Sequence, residues 1–376
     1  MGIEQLQPLV TNNLLVFRKP YLEGLESFRY TGENPITGSI DEMRFRAADF
    51  SDLQGYRFGG IVGGAQPSDY AASVPLWNDY FFSKWVQASD GIPALYFGFD
   101  VAPNRDADGR PCEEQTNLVN FLEAALGQGE IFDLTITDPF KYATFQYLDS
   151  IGATIQYSAR RMQAVNHVLK APEGYVYGYN SDGQGMFLAL EQRKRGHDLD
   201  MVADPNILVI GAGGSAKAIV DSLISNDVYG NVVVLNRTER TANELAAKYP
   251  EARITSGGLD QIDDQIGLAD IIIHTVTQGG ISLDQASKSQ EKALFVDTRY
   301  GPKAEFIDHA VTLNRPSENG KGMLFWQFVV ALKKTFDRTF NAPFELSGIT
   351  ESGNTLGYEA DVNLITDLWG IMFNNS

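Results

Sequence analysis

From Tyr56 onward the apolar residues come in short runs, separated by polar or glycine-rich punctuation. YRFGGIVGG, PALYFGFDV and IFDLTIT have the length and β-branched or aromatic content of strands. Between them, PLWNDYFFSKWVQ has the spacing of an amphipathic helix, and TNLVNFLEAALGQG that of a helix stopped by glycine. Strand, helix and strand in this rhythm predict a parallel or mixed α/β unit. The stretch before about Leu53 is broken at GENPITGS and reads as strands and turns. Near Gln192–Asp204 the chain turns polar (QRKRGHDLDMVAD), which suits a boundary between lobes. A second α/β unit follows, with apolar runs in NILVIGAGG, NVVVLNRT, ADIIIHTV and ALFVDTRY. No internal repeat or low-complexity tract interrupts it.

At 376 residues the chain is long enough for about two domains, and 43% apolar with 21% charged residues is an ordinary globular balance. No run of about 18 apolar residues predicts a membrane span, and the N-terminus lacks the basic-then-apolar block of a secretory signal. Cys112 is the only cysteine, so no intrachain disulfide forms and a cytoplasmic setting is expected. A net charge of −18 argues against a nucleic-acid surface, although a helix N-terminus can still hold a phosphate. His167, His197, His274 and His309 show no metal-ligand spacing, so no metal is expected.

The strongest local signal runs from Ile207. The strand Ile207–Ile210 leads into Gly211, Ala212, Gly213, Gly214, Ser215 and Ala216, and then into a helical pattern. Gly211 permits the tight turn, Gly213 lets the backbone approach a pyrophosphate, and Ala216 is small enough for close helix–strand packing. The next strand ends in Asn236, Arg237 and Thr238, with Arg240 beyond, where a ribose-binding residue belongs. An Asp or Glu there would repel a 2′-phosphate, whereas a guanidinium fork suits one. NADP is therefore expected over NAD, the bland alternative being that Arg237 and Arg240 are solvated charges at a helix start.

GAGGSAKAI followed by NRTERTANELA resembles the cofactor segment of the shikimate dehydrogenase family, and other motifs follow in family order. Thr137-Asp-Pro139-Phe-Lys141 is similar to its Thr-x-Pro-x-Lys, Ala164-Val165-Asn166 to its Ala-Val-Asn, and Asn180-Ser-Asp182-Gly183 to its Asn-Thr-Asp-Gly. Asp297-Thr-Arg-Tyr300-Gly-Pro302 resembles Asp-x-x-Tyr-x-Pro, and Gly322-Met-Leu-x-x-Gln327 resembles Gly-Met-Leu-x-x-Gln. The resemblance implies Lys141 and Asp182 as the catalytic pair, with Ser73, Asn78, Thr137, Asn166, Asn180, Tyr300 and Gln327 on substrate and Gly322 on the cofactor. Taken alone, Lys141 reads equally as a solvated helix-start lysine and Asp182 as a turn or N-cap residue. The family's serine pair, which holds a substrate carboxylate, falls on Ala71 and Ser73; its histidine falls on Trp77 and a usual threonine on His167, and Asp138 replaces an apolar residue.

The implied fold is α/β and two-lobed. Residues 1–190 form an N-terminal α/β substrate lobe with an N-terminal extension, to which 321–376 return. Residues 191–320 form a Rossmann-type NADP-binding lobe. The function implied is an NADP-dependent dehydrogenase on a ring alcohol such as shikimate, quinate or another polyhydroxylated cyclohexane or cyclohexene. A non-catalytic NADP or metabolite sensor, or a folate-intermediate dehydrogenase, stands as the alternative. The partners expected are a small polyhydroxylated ring and, as an option, a second copy in a homodimer, with no nucleic acid and no membrane.

Overall fold

A computed structural model of the chain describes residues 57–64, 73, 77, 94–112, 114–128, 130–171, 173–196, 204–226, 229–276, 279–299 and 305–339, with short segments at 349–352, 355–358, 369 and 372. The expected strands and turns before Leu53, most of the helix expected at PLWNDYFFSKWVQ, and Ala71, Asn78, His197 and Tyr300 lie outside these residues. The described chain falls into two units that divide after Asn180, the first taking up the chain again from Ala331. Both are α/β, as the alternating pattern predicts.

The first unit holds strands β1 (Arg57–Gly63), β2 (Ala94–Asp100), β3 (Glu130–Ile136), β4 (Thr154–Ile155), β5 (His167–Lys170) and β6 (Val176–Tyr179). They form one sheet in the order β2-β1-β3-β5-β6-β4, parallel among β1, β2 and β3 and antiparallel from β3 to β5 and β5 to β6. Helices α1 (Thr116–Gln128) and α2 (Lys141–Ser150) bring Leu118, Phe121, Leu122 and Leu148 into one buried cluster with Val62, Phe99, Leu134, Ile136 and Val168. Phe99 and Phe121 meet at 5.1 Å between ring centres, so burial on this side is dominated by aliphatic and aromatic interlock. A short helix, α3 (Tyr157–Met162), ends at Gln163 in the left-handed conformation and turns the chain toward β5.

The second unit opens with α4 (Asp182–Gly196), so the polar run from Gln192 begins inside a helix. Its strands β7 (Ile207–Ile210), β8 (Val232–Asn236), β9 (Ile254–Gly258), β10 (Ile271–His274), β11 (Leu294–Asp297) and β12 (Ser317–Glu318) form one parallel sheet in the order β12-β11-β10-β7-β8-β9. Counted from β7, this is the 3-2-1-4-5-6 order of a dinucleotide-binding sheet, with its switch point between β7 and β10. β7 and β10 are buried on both faces, which explains their unbroken apolar runs. Helices α5 (Gly214–Asn226), α6 (Glu239–Ala246) and α7 (Glu305–Thr312) are followed by α8 (Gly320–Thr339), whose last turns belong to the first unit. No described helix is long and apolar enough to cross a membrane.

Gly183 decides how α4 packs. A methyl group there would strike the backbone carbonyl of Ala218 and come within 2.9 Å of Ser222 Cβ, both on α5. A Cβ added at Gly185 would likewise lie 2.7 Å from the Met323 carbonyl and 2.6 Å from Gln327 Cγ, both on α8. Two glycines two positions apart in the first turn of α4 thus let two neighbouring backbones come close.

Candidate functional site

In the first unit, the residues named by motif gather at the ends of three adjacent strands. Thr137 follows β3 and is tied there twice, its amide and hydroxyl both reaching the Val62 carbonyl of β1, at 2.9 and 3.0 Å. The chain passes through Asp138 and Pro139 and starts α2 at Lys141, which is half-buried. The Lys141 carbonyl accepts the Val165 amide at 3.0 Å, holding the Ala164–Asn166 loop beside the lysine. Asn166 is buried, its carbonyl bonded to the Ile136 amide at 2.7 Å and its amide to the Tyr179 carbonyl at 3.1 Å. Asn180 is buried too, and its Nδ2 donates to the Ala164 carbonyl at 3.2 Å. Thr137, Lys141, Asn166 and Asn180 therefore stand on one hydrogen-bonded frame. Asp138 is exposed. Ser73 Oγ is buried and finds no hydrogen-bond partner among the described residues, although the hydroxyl lies near the Tyr96 phenol.

Two of the departures noted in the sequence connect to that phenol, Trp77 directly and His167 through Asp133 and Thr135. Trp77 is 1% exposed and stacks on Tyr96 at 5.5 Å and 16°. His167, 3% exposed, bonds through Nδ1 to Asp133 Oδ1 at 3.2 Å. Burial first, and then the charge of Asp133, push the Tyr96 hydroxyl well above its ordinary range, so it stays protonated. Asp133, Thr135 and Tyr96 were missed in the sequence. The available signal was the alternation Asp133-x-Thr135-x-Thr137, which puts three polar side chains on one face of a buried strand.

In the second unit, Asp182 is buried in the first turn of α4, where the helix dipole favours a carboxylate. Gly211 has φ +112°, and a Cβ there would collide with the Thr275 hydroxyl, so the turn out of β7 demands glycine. Gly213 and Gly214 are exposed, with nothing within 4 Å of an added Cβ. Lys217 is bonded back to the Gly213 carbonyl at 2.9 Å, so the amides before it are those that helix geometry leaves for a ligand. Ala212 and Ala216 are fully buried behind the turn, and Ser215 is half-buried at its rim. This open cradle fits a pyrophosphate.

Beyond β8, Asn236 Nδ2 caps the turn by donating to the Thr238 carbonyl at 3.0 Å. Arg237 is exposed and forms no ion pair among the described residues, whereas Arg240 lies 3.4 Å from Glu244 in an exposed pair one turn on. Gln327 is half-buried against Gly185, and Gly322 is packed against Glu318 and Ala189, which gives that glycine a packing reason of its own. No group of His, Cys, Asp and Glu able to hold a metal occurs among the described residues.

Asp297, at the end of β11, is enclosed by His274 Nδ1 at 3.2 Å and Arg299 Nη2 at 2.9 Å. Burial pushes its carboxyl up, but the bonds from His274 and Arg299 outweigh this and hold it below its ordinary value. A lowered value in the folded state means stability that is present above the ordinary aspartate range of about 4 and lost as pH falls through the lowered value. In Asp297→Asn, melting temperature measured across about pH 2–5 should therefore fall less steeply with acid than in the unaltered chain.

The profile of the Shikimate / quinate 5-dehydrogenase family matches residues 193–299. The chain is 30% identical over 288 residues to the shikimate dehydrogenase (NADP(+)) of Methanocaldococcus jannaschii, covering 73% of this chain and 89% of that protein. Its fold is similar to that of the quinate dehydrogenase of Corynebacterium glutamicum in complex with NAD, with TM-score 0.62, 20% identity and coverage of 85% of this chain and 99% of the other. It is also similar to the shikimate 5-dehydrogenase of Thermus thermophilus in complex with NADP(H) and shikimate, with TM-score 0.57, 20% identity and coverage of 85% and 100%.

Proposed function

The chain belongs to the shikimate/quinate dehydrogenase family and is an oxidoreductase of the CH–OH class; from that premise we propose that it interconverts a secondary alcohol and a ketone on a polyhydroxylated six-membered ring, with NADP as partner. The observation that carries this reading is the frame at the head of α2, where Lys141 leads the helix and its carbonyl is bonded to the Asn166 loop. The open glycine turn supports the cofactor part of it.

Backbone amides from Gly211 to Ala216 would hold the pyrophosphate, and Asn236, Arg237 and Thr238 the adenosine ribose with its 2′-phosphate. When bound, the nicotinamide accepts or returns the hydride. The chain's own part is to move the accompanying proton. Oxidation of the alcohol releases one hydride and one proton, and Lys141 Nζ takes the proton from the hydroxyl oxygen; in reduction its ammonium returns it to the carbonyl oxygen. A cation at that atom also stabilises alkoxide character as it develops. Thr137, Asn166 and Asn180 would orient ring hydroxyls, with Asp182 as the lysine's partner and Ser73, Asn78, Tyr300 and Gln327 on substrate assigned on the family resemblance alone.

The test is the rate of NADPH formation from NADP+ with shikimate, quinate and a panel of uncharged cyclic polyols. Turnover of at least one of them supports the reading. Tight NADPH binding with no turnover of any would sink it and favour a metabolite sensor. Cofactor choice is tested separately. Arg237→Ser removes a charge-assisted contact of about 1.5–3 kcal/mol, so kcat/KM for NADP+ should fall roughly 10- to 100-fold while that for NAD+ changes little. Arg240→Ser, which loses only an exposed pair with Glu244, should have the smaller effect.

A further inference from the structure

A row of polar and aromatic side chains crosses the first unit's sheet. Tyr96 Oη lies 2.9 Å from Thr135 Oγ1, Thr135 donates to Asp133 Oδ2 at 3.1 Å, and Asp133 Oδ1 faces His167 Nδ1 at 3.2 Å. Asp133 is fully buried and His167 is 3% exposed. Strand register produces the row. Thr135 stands opposite His167 across β3 and β5, and His167 opposite Tyr179 across β5 and β6. Gly59 of β1 is aligned with both Tyr96 and Asp133, and a Cβ there would strike the Asp133 carbonyl and the Phe132 ring.

Each proton in the row has one place to go. Asp133 only accepts. Thr135 gives its single proton to Asp133, so the protonated Tyr96 donates to Thr135. In the neutral ring, the imidazole nitrogen that faces the carboxylate carries the proton and Nε2 is the acceptor. No described residue bonds Nε2, in a side chain more than nine-tenths buried, where polar atoms are nearly always paired. Around the ring, β3 supplies the carboxylate of Asp133 and the hydroxyl of Thr135, and β6 supplies Tyr179, stacked at 4.8 Å. From α8, Lys334 Nζ sits 5.3 Å over the same Tyr179 ring.

We infer that His167, held by Asp133, is a specificity-determining residue whose Nε2 accepts a hydrogen bond from an uncharged hydroxyl of the substrate, so that the pocket selects ring polyols without a carboxylate. This deepens the dehydrogenase reading and rests on it for the identity of the site. A lone pair offers nothing to an anion, and the Asp133 charge stands behind it. The second open atom in the row, Ser73 Oγ near the Tyr96 hydroxyl, is likewise suited to a neutral partner.

The test compares inositols, as carboxylate-free ring polyols, with quinate on the full chain loaded with NADPH for binding and with NADP+ for turnover. His167→Asn keeps an N–H toward Asp133 but has no atom where Nε2 stands, and Asp133→Asn is the second variant. The expected result is tighter binding of at least one inositol than of quinate, at least tenfold weaker in His167→Asn, with KM raised and kcat within a few-fold. The ring 15N signals of His167 should show the Nδ1–H form, with Nε2 shifting when the inositol is added. Binding of an inositol without its oxidation, lost in His167→Asn, would reject the dehydrogenase reading and keep this one. Preference for quinate, no binding of any inositol, or an unchanged inositol-to-quinate ratio in both folded variants would overturn the inference.

Discussion

Lys141→Ala should lower kcat by about 10²- to 10⁴-fold, the contribution usual for a positioned proton donor or acceptor, while NADPH binding stays as it was. The lysine leads α2 in the first unit, whereas the glycine turn that would hold the pyrophosphate belongs to the second. The fold should also survive. The backbone carbonyl at this position accepts the Val165 amide, a bond that the alanine variant retains. Single-turnover rates with NADP+ and the best ring alcohol, set beside NADPH titration, separate the two effects. Turnover within tenfold of the unaltered chain would remove Lys141 from the proton path. Lys141→Arg makes a demanding companion, since a guanidinium holds its proton at any working pH and should not restore the rate.

Gly183→Val should cost about 3 kcal/mol of stability, the upper end for forcing extra carbon into a packed contact. At the scaling of large domains this amounts to roughly 6–12 °C in melting temperature. The obstacle is backbone, namely the Ala218 carbonyl of α5, and no rotamer change can clear it, so α4 and α5 have to move apart. Asp182 precedes this glycine, so a change in catalysis would be expected alongside the loss of stability. Gly213→Ala is the matching control: nothing lies within 4 Å of its Cβ, so melting should be unchanged while NADPH binding weakens. Equal melting temperatures for Gly183→Val and the unaltered chain would mean that the contact with α5 is looser than the structure has it.

Much of the second unit was legible because its signals are local. Ile207–Ile210 is an apolar run buried on both faces, and the glycines after it answer to backbone geometry within a few residues. Lys141, Asn166 and Asn180 were likewise reached through short motifs, and the backbone bonds among them give those motifs a common frame. Trp77 read only as a substitution, and the structure buries it against Tyr96 and Phe132. Arg237 and Arg240 looked equivalent until the Glu244 pair separated them.

By itself, then, the amino-acid order determined the two α/β units, the glycine turn of a dinucleotide site and the positions of its chemical motifs. All of these follow from spacings of a few residues, over which backbone preference and periodicity act. Tertiary structure alone decided the allegiance of α4, through Gly183 against α5, and the joining of Tyr96, Asp133, Thr135 and His167 into one buried row. Those partners come from three different strands, and their meeting depends on sheet order and register. Register is set by packing across the whole sheet, which no local window of sequence contains.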